Sequence, residues 1–198
     1  MRILRVENLI VTKMSEIDKN ENNSSERLKM VMNWGAITGI VLIILGVIFY
    51  MLGIRESKIA QLVSFAGMIA CLYFGMKQYR DTIGNGFISY SKSLGTGVKI
   101  SFFSSIIMGF YVFIFIRFID SNLIIEMLNQ QEQAMIDKDM PTEQIEQAMN
   151  MTKKFMTPTT MAVMSVLSFT LMGSIFSLII SLFVKREDKS FEGGFLDQ

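Results

Sequence analysis

Four apolar stretches, each long enough to cross a lipid bilayer as a helix, constrain this chain more than any other feature of its sequence. They are residues 34–52, 59–76, 94–119 and 159–184. The third stretch contains Lys99 and, close to its far end, Arg117, whereas the other three contain no charged residue. At about 1.5 Å per residue such helices are roughly 27 to 39 Å long, against a hydrocarbon core of about 30 Å. The sequence therefore predicts an all-α integral membrane protein with four spanning helices.

Composition narrows the chemistry that such a protein can perform. Hydrophobic residues make up 51% of the chain and charged residues 19%, where a soluble domain usually carries about a quarter. The chain has no His, which removes the commonest general base and every zinc site that requires imidazole. Its one Cys, Cys71, lies in an apolar run, so it forms neither an intramolecular disulfide nor a cysteine cluster. We expect no catalytic residue, no cofactor and no metal site.

The polar segments outside the spans predict the orientation of the protein. Residues 1–33 are expected to be a disordered cytoplasmic leader, of which residues 1–13 look like an over-extended start, and residues 185–198 a short cytoplasmic tail. These two segments and the loop 77–93 contain twelve of the 19 lysines and arginines, and the opposite side contains six. The positive-inside rule then places both termini in the cytoplasm.

Small residues recur on the third and fourth predicted spans. The third-span stripe is Gly97, Ser101, Ser105 and Gly109, and the fourth-span stripe is Gly173, Ser177 and Ser181. A spacing of four places each stripe on one helical face, which is typical of helices that pack closely in a membrane. A serine-lined polar pathway is the alternative interpretation, and it stays open at this point.

Lys99 is the charged residue that lies farthest inside a span. Its long side chain can reach the headgroup level, which predicts contact with phospholipid. A charged residue within a span is also a default candidate for transport or proton relay. However, no span contains Asp or Glu, the usual proton or cation sites of transporters.

Residues 120–157, between the third and fourth spans, are expected to form an amphipathic helical hairpin outside the cytoplasm. Apolar side chains recur there in two series with a 4-3-4 spacing, interrupted by residues 137–141. The candidate partner surface consists of Ile124, Leu128, Met135, Ile145, Met149 and Met156. Clustered thioethers also bind Cu(I), but only Met149 and Met151 resemble a ligand pair. Because methionine is abundant throughout the chain, a packing or partner role is the favoured interpretation.

Five short motifs stand in order along the chain: Tyr79-Arg80-Asp81, Gly86-Phe87-Ile88-Ser89-Tyr90, Phe118-Ile119-Asp120, Thr142-Glu143-Gln144-Ile145-Glu146-Gln147-Ala148-Met149 and Phe155-Met156-Thr157-Pro158. In this order the sequence resembles the domain-of-unknown-function 4199 family over about residues 33–185. The resemblance implies a small four-span protein of the bacterial inner membrane, of a kind commonest in Bacteroidota. It implies no activity, cofactor or ligand. Members of the family usually begin shortly before the first span, which agrees with the expectation for residues 1–13.

Three functional hypotheses follow. The first is a structural or accessory membrane protein without enzymatic activity, whose outer hairpin binds a protein partner or a second copy. The second is a small-solute transporter or channel that uses Lys99 and the serine-rich fourth span. The third, an intramembrane Ser–Lys enzyme, is disfavoured because Ser101, two residues from Lys99, faces away from it on a helix. The lipid bilayer is an expected partner, nucleic acid is not, and the sequence names no small-molecule ligand.

Overall fold

The computed structural model describes residues 2–54 and 57–186, with side chains from Ser24 onward. Within these ranges the chain forms six α-helices and one π-helical turn. They are α1 (Arg2–Met51), α2 (Lys58–Thr82), α3 (Tyr90–Ile114), the π-helical turn (Phe115–Ile119), α4 (Leu123–Ile136), α5 (Thr142–Phe155) and α6 (Pro158–Val184). The described residues form no strand, and their one β-type pairing is a bridge between Ile88 and Arg186. The predicted all-α class is confirmed.

Four helical segments are long and apolar enough to cross a membrane. They are Ser24–Met51, Lys58–Thr82, Tyr90–Ile119 and Pro158–Val184. The four predicted spans are therefore confirmed. Several of these helices continue beyond the uncharged stretches, as α2 does through Lys77 and Arg80. A helix keeps its backbone hydrogen bonds at the headgroup level, where charged side chains remain solvated.

The N-terminal segment differs from its prediction. Sequence analysis predicts a disordered leader over residues 1–33, but α1 begins at Arg2 and continues without a break into the first span. Extending an existing helix adds one hydrogen bond per residue without the cost of a new nucleus. The segment is rich in Glu, Lys, Arg, Met and Leu, which have high helix propensity. The prediction of disorder considered only how little apolar surface the segment can bury. Residues 187–198 of the predicted tail lie outside the described residues.

The spanning helices pack around α3, which contacts α1, α2 and α6. Leu72, Met76, Ile100 and Val184 are fully or almost fully buried in the apolar core of this bundle. The outward faces carry large exposed apolar side chains, of which Phe110 is an example. Lipid tails are as apolar as these side chains, so the exposed faces suit a bilayer.

One end of the bundle holds residues 24–31, the α2–α3 loop and Arg186, and we call it the inner end. The backbone N–H of Ile88 donates to the carbonyl of Arg186 at 2.9 Å, and the return bond is 3.0 Å long. Nη1 of Arg80 donates to the carbonyl oxygen of Val184 at 3.4 Å. The loop is therefore fastened to the C-terminal end of α6.

At the opposite, outer end, α4 and α5 form a helix pair joined by residues 137–141. The two helices pack mainly on each other rather than on the spanning helices. Their position outside the cytoplasm stays a prediction.

Candidate functional site

The two stripes of small residues lie against each other, and we call this contact the α3–α6 seam. It consists of Gly97, Ser101, Ser105 and Gly109 on α3 and Gly173, Ser177 and Ser181 on α6. A Cβ atom on Gly97 would stand 2.7 Å from Cβ of Ser177. One on Gly173 would stand 2.5 Å from Cβ of Ser101. Carbon atoms pack best at about 3.5 to 4.0 Å, so the two helices approach this closely only because these residues lack side chains.

The hydroxyls in the middle of the seam are bonded and buried. Ser101 donates to the carbonyl of Gly97 at 2.9 Å, and Ser177 donates to that of Gly173 at 2.7 Å. The hydroxyl of Ser105 lies 2.8 Å from that of Thr170, which joins the two helices directly. The seam serines are at most 2% exposed. Side chains this enclosed do not border a water-filled passage, which favours close packing over a polar pathway.

At the inner end of the seam, two buried serine hydroxyls lack a hydrogen-bond partner among the described residues. Ser101 lies opposite Gly173, and Gly97 lies opposite Ser177, so the same register places Ser93 opposite Ser181 one turn farther along. Both serines are completely buried, and neither hydroxyl has a hydrogen-bond partner among the described residues. An unbonded buried hydroxyl reduces stability, so this end of the seam is less well satisfied than the middle.

The outer end of the seam opens toward lipid. A Cβ on Gly109 would stand 2.5 Å from Cγ2 of Val166, so contact between the helices continues to this point. Beside it lies an apolar groove of about 350 Å³ between α3 and α6, bordered by Phe110, Phe113 and Val163. The groove has almost no polar atoms, as expected of a surface covered by acyl chains.

Lys99 lies on another face of α3, directed away from the seam. It borders a cavity of about 470 Å³ between α1, α2 and α3 at the inner end, which we call the inner cleft. Arg27, Tyr79 and Lys92 border the same cavity. Ser101 faces α6, so the structure does not bring Lys99 and Ser101 together as a nucleophile and base would require.

Arg27 is one residue of the inner cleft that sequence reasoning missed. It lay within the segment predicted to be disordered, and α1 brings it to the bundle. The sequence contained one usable signal, because no Gly or Pro separates Arg27 from the first span. The indole N–H of Trp34 donates to Oε1 of Gln78 at 2.8 Å, which holds α1 against α2 near the cleft.

The structure places the predicted partner residues inside the α4–α5 pair. Ile145 and Met149 are buried, and the others are partly buried, namely Ile124, Leu128, Met135 and Met156. A 4-3-4 spacing is that of a seam shared by two helices, and α4 and α5 do contact each other here. Two of the six residues are therefore inaccessible within the folded chain, and a role of the other four as a partner surface stays a prediction.

The exposed apolar side chains of the pair are different ones. They are Ile125 and Ile136 on α4 and Met151 and Phe155 on α5, each at least half exposed. Met151 and Phe155 are four residues apart, which is the signal that could have identified them. Met149 is 4% exposed and Met151 is 64% exposed, so the two thioethers of the supposed copper pair lie on different faces of α5.

A second cavity, of about 560 Å³, lies at the outer end beneath α4, and sequence analysis did not foresee it. Tyr50, Tyr111 and Phe115 border it from the spanning helices. The rings of Tyr50 and Phe115 are perpendicular, with centroids 4.9 Å apart. Met127 and Gln130 of α4 complete its wall. Among the described residues, no group of three or more His, Cys, Asp or Glu side chains is placed to hold a metal ion.

A sequence model of the family described as "Protein of unknown function (DUF4199)" matches residues 33–186. The match covers all four spanning segments except the first turns of the first, and it includes α4 and α5. No curated protein and no solved structure matches the chain.

Proposed function

Since the chain belongs to the domain-of-unknown-function 4199 family, whose description names no activity, we propose its role from its own geometry. The protein is a structural or accessory membrane protein, and its outer helix pair binds another membrane protein. The observation that carries this proposal is the α4–α5 pair, which closes its own seam and still exposes four large apolar side chains.

The chemistry of the pair favours one kind of partner. Residues 120–157 contain seven acidic residues and three lysines. Such a segment is repelled by anionic headgroups, which disfavours a helix pair lying flat on the membrane. A second copy would bring the same negative charge to the contact. A different protein with apolar and basic groups fits better.

The middle of the α3–α6 seam supports a structural role rather than transport. Its serines are buried against a neighbouring helix and bonded to helical carbonyls. Lys99 borders a cleft at one end of the bundle instead of lying along the seam. No observation therefore favours the serine-lined pathway.

The test is photocrosslinking in native membranes. A photoreactive residue at Met151 is expected to capture a discrete heterologous protein. The matched control is Asn150, which is exposed on the same helix about 100° around its axis and is expected to capture much less of it. Adducts with lipid alone, or only with a second copy of this chain, would contradict the proposal.

We further infer that the protein lies in the bacterial inner membrane with its inner end in the cytoplasm. The excess of lysine and arginine at the inner end supports this orientation. In a Cys71→Ala background, a membrane-impermeant maleimide should label Gln144→Cys from outside the cytoplasmic membrane. Thr82→Cys should react only after permeabilisation. The reverse pattern would invert the orientation.

A further inference from the structure

The inner cleft gathers three positively charged side chains. Arg27 comes from α1, and Lys92 and Lys99 come from the same face of α3, two helical turns apart. None of the lining residues from Ser24 onward, where the structure describes side chains, is Asp or Glu. Within the described part of the chain, none of these three cations forms an ion pair, whereas Arg80 nearby pairs with Asp81 at 2.8 Å. Like charges around one cavity repel each other and concentrate an anion there.

Hydrogen-bond donors accompany these charges. Tyr79 and Ser91, which both carry a hydroxyl group, border the cleft. Ser91 and Lys92 lie in the first turn of α3, where backbone N–H groups have no intrahelical acceptor and the helix dipole is positive. Phosphate oxygens are acceptors that suit such a set of cations, hydroxyls and amides.

The depth of the cleft and its apolar wall indicate which kind of phosphate-containing molecule fits it. Lys99 lies about 14 Å along the helix axis from Tyr90, the first residue of α3, so the cleft extends well below the inner end of the bundle. Leu28 and Val31 form an apolar side of the same cavity. A ligand that combines a phosphate with apolar chains matches both parts, whereas a free phosphate would leave the apolar wall unused. Basic pockets between helices on the cytoplasmic side of membranes commonly hold such headgroups.

We propose that the inner cleft is a binding site for an anionic phospholipid, whose phosphate is held between Arg27, Lys92 and Lys99. The glycerol and the first part of the acyl chains lie along Leu28 and Val31. Lipid bound there joins α1, α2 and α3 at the inner end. This site is independent of the outer helix pair and of any partner that binds there.

The test measures lipid retained by the full-length protein after extraction into mild detergent from vesicles that contain phosphatidylcholine and phosphatidylglycerol. Native mass spectrometry counts the bound lipids. The triple variant Arg27→Gln, Lys92→Gln and Lys99→Gln should retain at least tenfold less phosphatidylglycerol than the wild type. The matched control is Lys138→Gln, Lys153→Gln and Lys154→Gln, which removes three cations at the outer end and should retain lipid like the wild type.

A second variant tests whether the cavity itself is needed for lipid binding, without a change in net charge and with a check on folding. A Cβ on Gly95, which borders the cleft, would meet no atom within 4 Å, so Gly95→Trp can fill the cavity without removing a cation. It should also lose phosphatidylglycerol while its helical content stays normal. If this variant and the triple variant both retain lipid, the proposal is overturned. Displacement of the lipid by inorganic phosphate at equal concentration would overturn the assignment to a lipid and make the cleft a site for soluble phosphate.

Discussion

The face of α3 that meets α6 and the face that borders the inner cleft differ in what fills the space beside them. On the first face a Cβ at Gly97 would overlap Ser177 and the sulfur of Met76. On the second a Cβ at Gly95 would meet no atom within 4 Å. Two glycines on one helix thus have different roles, because one permits close contact between helices and the other borders a cavity. Residue type alone does not distinguish them.

The largest expected effect is that of enlarging a residue on the face of α3 that meets α6, which we call the packed face. Gly97→Leu would force α3 and α6 apart, because the new side chain would meet Ser177 and Met76 at the centre of the contact. Overpacking of this kind costs up to about 3 kcal/mol, and here we expect that full amount in the free energy of unfolding. Unfolding by SDS titration in mixed micelles measures it.

Gly95→Ala is the control on the face of α3 that borders the inner cleft, which we call the open face. Alanine has a higher helix propensity than glycine and meets no neighbour here, so the change should stabilise the protein by as much as about 1 kcal/mol. Equal destabilisation by the two substitutions would mean that the two faces do not differ as the structure indicates.

The hydrogen bond across the packed face should contribute less than the close contact itself. The hydroxyls of Ser105 and Thr170 also lie 2.8 and 2.7 Å from carbonyl oxygens of their own helices, and each has only one proton, so the bond across the seam competes with these local acceptors. A double-mutant cycle with Ser105→Ala and Thr170→Val should therefore give a coupling energy of about 0.6 kcal/mol, the average for such pairs in a membrane. A coupling energy of zero would show that the two hydroxyls do not interact in the membrane.

The smallest effect is expected where the packed face reaches the inner end. Ser181→Ala removes a buried hydroxyl that lacks a partner among the described residues, so the free energy of unfolding should stay nearly unchanged or rise slightly. Ser177→Ala is the comparison, because that hydroxyl donates to Gly173 and its loss should be mildly destabilising. A clear loss of stability in Ser181→Ala would indicate that this hydroxyl is bonded in the membrane.

Sequence reasoning identified the packed face better than the open one. The spacing of four within each helix, from Gly97 to Ser101 on α3 and from Gly173 to Ser177 on α6, was sufficient to predict the two stripes. A helix places every fourth residue on nearly the same face. In the outer pair the same kind of reasoning found the 4-3-4 series but assigned it to a partner. Periodicity shows which residues share a face, and it does not show whether that face meets its own neighbour or another protein.

The four spanning helices and the two small-residue stripes follow from the amino-acid sequence alone. The reason is local, since hydrocarbon requires every backbone polar group to be bonded within its own helix, and helical spacing then sets the faces. What each face meets depends instead on how the helices pack in three dimensions. The tertiary structure buried Ile145 and Met149 inside the outer pair and brought Arg27 to the cleft of Lys92 and Lys99. These contacts join residues far apart in the chain, so they depend on how the helices pack and not on the pattern within any one of them.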